Sequence, residues 1–543
     1  MKEKTNSFMG NVLMLMVAQV LIRFLGLIYK LVITNLDGFG DVGNGYYSAG
    51  YQIYTVLLLI SSQGIPNAMS RLVSEKIALG EYKAAHRIFK IAFGLFGVIG
   101  GTCSILLYVS SGFIATNMLN VPDVKYVLMV LSPAIFFVSV SAVIRGYFAG
   151  LGTMKVSSTA QTLEQLFNCI LSITFVYATI GREPYIMAAA GNLSTTVAIL
   201  MSFFYLVAYY KLNNKKYANK YKNIEQKEES KPVKTICKTI LMYAIPMTIG
   251  SVITAISSMI DTVTVSNCTQ IAYSGILGTK EALEQMAMKF AGILSKVETL
   301  TNLPIAINLA FSSALVPAIS AALAKKDRKD AARKISFSFA CSIMIILPCA
   351  IGFSMLADPL LKMLYPNASD GAHILQIASV TMIFVALSQT LSGALFGLKR
   401  LYVPATAIAI GSIVKFILNI ILIRNPKINI YGAAISSLVS QFITFVISYR
   451  VTKNEINLKL SFKKTILKPL LAGGMMAISI FIIQTLLRSS VNNIILTLAT
   501  IIIGAAVYVF GIIILKVFEK EEILLFPMGE KLYKILRKIK VYE

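Results

Sequence analysis

Apolar runs long enough to cross a bilayer follow one another almost without a break along this chain, and no other feature limits its fold so tightly. A helix needs about 20 apolar residues to pass the roughly 30 Å hydrocarbon layer. Fourteen such runs can be marked between polar breaks: 7–34, 45–74, 88–112, 124–148, 156–180, 186–210, 236–266, 285–323, 334–357, 372–398, 402–424, 430–451, 464–487 and 491–516. They predict an all-α polytopic membrane protein with fourteen transmembrane helices. Of the 543 residues, 56% are hydrophobic and 14% charged, against about 25% charged in a soluble domain. Disorder, collagen and a secreted disulfide scaffold are thereby excluded. The first run is too long for a signal-peptide core and is expected to stay as a membrane helix. Pro66, Pro246, Pro304 and Pro317 mark expected kinks.

Charge adds orientation. The chain carries 51 Lys and Arg against 25 Asp and Glu, a net +26. In a soluble protein that balance would suggest nucleic acid; here the bases sit in short clusters between apolar runs, as a membrane protein facing anionic lipids requires, and no nucleic-acid partner is expected. With the N-terminus in the cytoplasm, alternate breaks hold about 39 Lys and Arg and the opposite set about eight, so both termini are expected to be cytoplasmic in a bacterial plasma membrane. The largest polar break, 211–235, is expected to be a solvated basic linker. It separates a lobe of six helices at 1–210 from a second at 236–452, followed by two further helices at 453–516. Within the tail at 517–543, Leu532, Ile535, Leu536 and Ile539 recur at helical spacing beside lysines, which predicts an amphipathic helix on anionic membrane lipids.

The halves repeat. An offset of 247 residues pairs Gly146 with Gly393, Gly150 with Gly397, Leu151 with Leu398, Val156 with Val403, Thr159 with Thr406 and Ala160 with Ala407. With six helices per copy, both copies begin on the same side, so the expected relation is a parallel repeat about an axis along the membrane normal, a basis for alternating access.

Ionisable groups in the hydrocarbon layer are costly and are expected to face a cavity or a partner. Arg23, Glu164, Lys296, Glu298 and Lys415 lie mid-span; Asp261, Lys30 and Arg71 lie nearer span ends. Polar neutral residues, Asn168 among them, share those depths and are expected mostly to hydrogen-bond between helices. No nucleotide-binding loop, HExxH motif or CxxC pair occurs, and the chain has only two histidines, so neither an enzyme nor a metal site is expected. No cofactor is expected either. Transport would draw on an ion gradient or the membrane potential, and the residues leave sodium, proton and chloride open as the coupling ion.

The stretches IRFLGLIYKLVITNL (Ile22 to Leu36), GIPNAMSRLVSEKIALGEYKAAHRIFK (Gly64 to Lys90), RGYFAGLGTMKVSSTAQTLEQL (Arg145 to Leu166), MID (Met259 to Asp261) and ALVPAISAALAKKD (Ala314 to Asp327) resemble the multidrug/oligosaccharidyl-lipid/polysaccharide exporter superfamily. Within it they are most similar to the polysaccharide-transporter branch of the stage V sporulation protein B group and the lipid II flippases. The resemblance implies two six-helix lobes that alternately open a cationic cavity, with helices thirteen and fourteen forming a groove for a polyprenyl tail. It implies a lipid-linked sugar pyrophosphate as cargo, in lipid II flippases the peptidoglycan precursor. Arg23 falls on the first of two helix-one bases that bind the pyrophosphate in those flippases, whereas Tyr29 stands where the second is expected, one residue before Lys30. Asp261 matches an acidic residue of helix seven, Glu164 lies in the motif of helix five, and the flippases carry an arginine near Lys296 and Glu298.

Chemically, Arg23, Lys296 and Lys415 suit phosphate oxygens, arginine best because its planar fork bonds two at once. The expected function is therefore a flippase for a lipid-linked oligosaccharide or peptidoglycan precursor, with cell-envelope synthesis enzymes as candidate partners. Two alternatives stand beside it: a cation-coupled multidrug exporter using Glu164, Glu298 or Asp261, and a non-transporting scaffold for envelope assembly.

Overall fold

A computed structural model describes residues 22–220, 232–458, 460–487, 492–518 and Tyr533. Among them there is no strand, and the described parts of the apolar runs are largely helical. Among the same described residues, ten helices are both long and apolar enough to cross a membrane. The first helix, α1, is described over 22–34; the part of its run at 7–21 lies outside the described residues, as does nearly all of the tail helix expected within 517–543.

The chain groups into two compact units, Met1–Lys296 with Asn419–Ile430, and Val297–Leu418 with Tyr431–Glu543. By this grouping the chain passes between the units at Lys296/Val297, Leu418/Asn419 and Ile430/Tyr431, none of which is in the 211–235 break. Part of that break is helical: α7 runs Pro184–Lys220. Its stretch 211–220 contains four lysines and no Gly or Pro, so nothing stops helix propagation there.

In the first unit, α2 (Gly40–Ser62) and α3 (Ile65–Ala78) together occupy the second apolar run. The helix breaks at Gln63–Gly64 because Pro66, seated in the first turn of α3, lacks the N–H that a continuous helix would need. Next come α4 (Tyr82–Phe113), closed by a π-helical turn at Ile114–Met118, α5 (Val124–Gly150), α6 (Met154–Ala178) and α7, then α8 (Val233–Tyr273) and the start of α9 (Lys280–Ala324). The expected kink residue Pro246 lies within an unbroken α8, and Pro304 and Pro317 within an unbroken α9.

Helix α5 is the core of this unit. It packs on α2, α3, α4 and α7, and a helix apolar on every side can be buried on every side. Gly146 and Gly150, one turn apart, admit the backbone of α3: a Cβ on either would run into Pro66 and Met69, or into Ser70 and Val73.

The second unit holds the remainder of α9, then α10 (Arg328–Met355), α11 (Ala357–Leu364), α12 (Ala372–Gly397), α13 (Val403–Ile423), α14 (Ile430–Ile456), α15 (Lys468–Leu487) and α16 (Asn493–Ile514). Asp327 caps α10 by accepting from the Asp330 N–H at 2.9 Å, and Asn492 caps α16 by accepting from Ile494 at 2.9 Å. Helices α15 and α16 pack as a pair, with Gly511 pressed on Ala472, and α15 leans on α10 where Gly473 meets Ile351.

The 247-residue repeat has a structural counterpart inside each unit. Gly393 and Gly397 of α12 meet Ser312 and Ile319 of α9 as Gly146 and Gly150 meet α3. The helix before the break ends alike in both: the Thr153 N–H donates to Phe148 O at 2.9 Å around Gly152 (φ +81°), and the Arg400 N–H to Leu395 O at 2.8 Å around Lys399 (φ +63°). These are the same six-to-one bonds of a Schellman cap at the same offset. One turn into the next helix, Ala160 O accepts from Ser202 Oγ at 3.1 Å, and Ala407 O accepts from Thr444 Oγ1 at 3.4 Å.

Candidate functional site

Helices α2 and α6 are 23 and 25 residues long, yet neither is apolar enough to count as a span by itself. Their polarity comes from Asp41, Asn44, Gln52 and four tyrosines on α2, and from Gln161, Glu164, Gln165 and Asn168 on α6.

A buried ion pair joins Lys296 of α9 to Asp41 of α2 at 2.7 Å, with side-chain exposures of 0% and 6%. Glycines allow it. A Cβ on Gly45 would collide with the Met288 carbonyl, and one on Gly292 with the Asp41 carbonyl, so the two backbones touch. Asn44 Nδ2 closes the contact by donating to Gly292 O at 2.8 Å. Lys296 is therefore not an open base awaiting a ligand: a buried cation is tolerable only with a charge partner and hydrogen bonds.

Beside this pair, Lys30 of α1 donates to Ser295 Oγ at 3.2 Å, and its ammonium stands 5.7 Å from the centre of the Tyr47 ring. Tyr47, Tyr51 and Tyr54 form a ladder along α2, with ring centres 6.3 Å and then 5.6 Å apart. Arg23, two turns from Lys30 and about 10 Å away along the axis, is exposed. Both Arg23 and Glu164 act electrostatically on the Tyr51 phenol. Gly26 of α1 lies against Gln165 of α6, which keeps the two helices side by side here. One flank of α1 thus presents two bases, separated by two turns, to a row of phenols, with a carboxylate on α6.

The structure brings Arg23, Lys30, Glu164 and Lys296 into this polar region of one unit. It does not bring Arg71 there: the Arg71 guanidinium lies 4.4 Å from the ring centre of Tyr243, between α3 and α8. Asn168 is buried and accepts from Ser194 Oγ at 2.8 Å and Thr195 Oγ1 at 3.2 Å, a tie between α6 and α7. Asp261 accepts from Asn419 Nδ2 at 3.0 Å, which also donates to Thr264 Oγ1 at 2.8 Å. In the second unit, Lys415 is buried and Glu298 exposed. Glu298 and Lys296 are two residues apart, so they point to different sides of α9.

Three participants were not anticipated from sequence. Asp41 falls in the break between the first two runs, where a carboxylate reads as a loop charge; its signal was the glycine-rich GDVGNG (40–45) in which it sits. The tyrosines at 47, 51 and 54 recur at helical spacing and were absorbed into an apolar run. Arg145, near the end of the fourth run, drew no notice as a mid-span charge, yet it lies inside α5 with its Nε buried and unpartnered, within electrostatic reach of Glu164.

The family profile described as polysaccharide biosynthesis protein matches residues 8–323, and a second, MatE, matches residues 291–421. The chain is 23% identical to the lipid II flippase MurJ of Bacillus subtilis, covering 90% of this chain and 92% of that protein. It is 24% identical to the stage V sporulation protein B of the same organism, covering 96% and 98%. A solved structure of lipid II flippase MurJ in an inward closed conformation shares the fold, with a TM-score of 0.69 at 18% identity over 92% of this chain and 98% of that one. By their names, the MurJ relative and the solved structure are flippases. With more than half of its length matched by the first profile, the chain belongs to the polysaccharide biosynthesis protein family, as a multi-pass membrane protein of the multidrug/oligosaccharidyl-lipid/polysaccharide exporter superfamily.

Proposed function

We propose that this protein is a flippase that carries a polyprenyl-pyrophosphate-linked sugar, of the lipid II kind, across the bacterial inner membrane by alternating access. The reading takes the chain as fourteen transmembrane helices with both termini in the cytoplasm. The observation that carries it is the flank of α1, where Arg23 and Lys30 lie two turns apart along the tyrosine ladder of α2. A pyrophosphate needs cations at such a place, and phenols supply hydrogen bonds to sugar and phosphate oxygens. Arg23 is exposed and, among the described residues, makes no ion pair, so its fork is available to bond two phosphate oxygens at once. Lys30 would add charge from the other end of the flank, and Lys415 of the second unit is proposed as a further phosphate-binding base. Asp41 would hold Lys296, and Glu164 would oppose Arg23, when cargo is absent.

The same reading includes a coupling cation at Asp261. Asn419 is fully buried and its Oδ1 has no partner, while its amide faces Asp261 and Thr264. Amide orientation is exchangeable, so a carboxylate, a hydroxyl and an amide oxygen can converge on a hard monovalent cation.

Vesicles containing the purified protein and a fluorescent lipid-linked sugar pyrophosphate test the reading against both alternatives. A flippase exposes the labelled lipid to an external quencher, a multidrug exporter moves cationic dyes instead, and a scaffold moves neither.

A further inference from the structure

A cavity of about 390 Å³ opens in the first unit between α8 and the helices α2, α3 and α4, well apart from the polar flank of α1. Its walls are Ile60, Ile65, Phe96 and Ile99 on one side and Leu241 to Ile253 of α8 on the other. Thr248 contributes a hydroxyl, but that group already donates to Ala244 O at 2.9 Å. The wall therefore asks for no hydrogen bond, and its occupant must be hydrocarbon. Ile60, Ile245 and Ile249 stand exposed along it, and Gly64 seats the start of α3 against Ala244 and Thr248.

Direction along α8 supplies the rest. Leu241, Ile245, Thr248 and Val252 recur at three- and four-residue spacing on one stripe. Continued toward the start of the helix, that stripe carries Lys238 and then Lys234, both exposed. From Leu241 to Ile253 the apolar part runs about 18 Å, close to the thickness of one leaflet's hydrocarbon, with the two lysines just beyond its end.

We propose that this crevice binds one acyl chain of an anionic phospholipid, whose phosphate rests on Lys234 and Lys238. Hydrocarbon walls of one-leaflet length fit the chain, and the paired bases fit the headgroup charge. The crevice shares no lining residue with the polar flank of α1, so a failure of either assignment leaves the other standing.

The natural chain contains no tryptophan, which gives a clean optical test. Full-length protein carrying Ile249→Trp, or Ile60→Trp on the opposite wall, is reconstituted in phosphatidylcholine vesicles containing a fixed fraction of bromine-labelled phosphatidylglycerol or bromine-labelled phosphatidylcholine. Ile502→Trp, on a lipid-facing position of α16 that is 69% exposed, reports bulk lipid. The expected result is that phosphatidylglycerol occupies the crevice about fivefold more readily than phosphatidylcholine. That preference should be absent at the α16 position and lost when Lys234→Gln and Lys238→Gln are combined. Equal quenching by both headgroups at the two crevice positions would overturn the proposal, as would a preference that survives loss of both lysines. Relief of quenching by added polyprenyl phosphate, without any headgroup preference, would give the crevice to an isoprenoid chain and overturn it too.

Discussion

Lys296 and Asp41 face each other at 2.7 Å with both side chains shielded from solvent, 255 positions apart in sequence. A buried ion pair costs desolvation that its mutual attraction only partly offsets, but stripping one partner leaves an uncompensated buried charge. Asp41→Asn or Lys296→Met alone should therefore lower stability by about 3–5 kcal/mol. The two changes together should cost less than either alone. Denaturation midpoints in detergent by fluorescence-detected gel filtration measure this; additive losses would mean that the two residues do not act as a pair.

The glycine contact beneath that pair makes its own prediction. Gly292→Ala places a methyl group in the Asp41 carbonyl, whereas Gly250→Ala on α8 meets open space. The first should destabilise by about 1–3 kcal/mol, and the second should be neutral or slightly stabilising because alanine favours helix. Thermal midpoints of the two variants, measured side by side, decide the matter.

At the matched helix ends, Gly152 and Lys399 both adopt positive φ, +81° and +63°. A side chain in that region costs about 1 kcal/mol. Lys399→Gly should therefore stabilise the protein by about that amount, and Gly152→Ala should destabilise it similarly. Matching shifts of opposite sign would fit the repeat at the level of single backbone angles; a loss of stability in Lys399→Gly would contradict it.

Coupling through Asp261 is tested by transport at varied sodium and pH. Asp261→Asn removes the only charge among the three proposed oxygen donors, so transport should lose its dependence on the driving cation while the protein still inserts at the native level. Unchanged ion dependence in that variant would remove Asp261 from the coupling site.

Much of the fold was legible because burial in hydrocarbon demands long apolar helices, and the described parts of the apolar runs are largely helix. Hydropathy could not show the break at Gln63–Gly64, since both flanks are apolar; Pro66 was the visible cue, read as a kink when the backbone in fact restarts a helix. The site was legible only in part. Arg23, Lys30, Glu164 and Lys296 announce themselves as charges at mid-span, but a charge does not name its partner. Lys296 finds Asp41 because Gly45 and Gly292 let α2 and α9 touch, a relation between distant segments that no local pattern contains. Arg71 looked equivalent to Lys30 by depth, yet stacking on Tyr243 takes it elsewhere.

Arg23 tests the central claim most directly. Vesicles containing equal amounts of native protein, Arg23→Lys and Arg23→Ala are compared for the rate at which a fluorescent lipid-linked sugar pyrophosphate crosses the bilayer. Loss of a charge-assisted, two-pronged contact worth about 2–3 kcal/mol should slow Arg23→Ala by roughly 30- to 150-fold. Arg23→Lys should fall between, since it keeps the charge and loses the fork. A native rate in Arg23→Ala, or no movement of the labelled lipid by the native protein, would contradict the account.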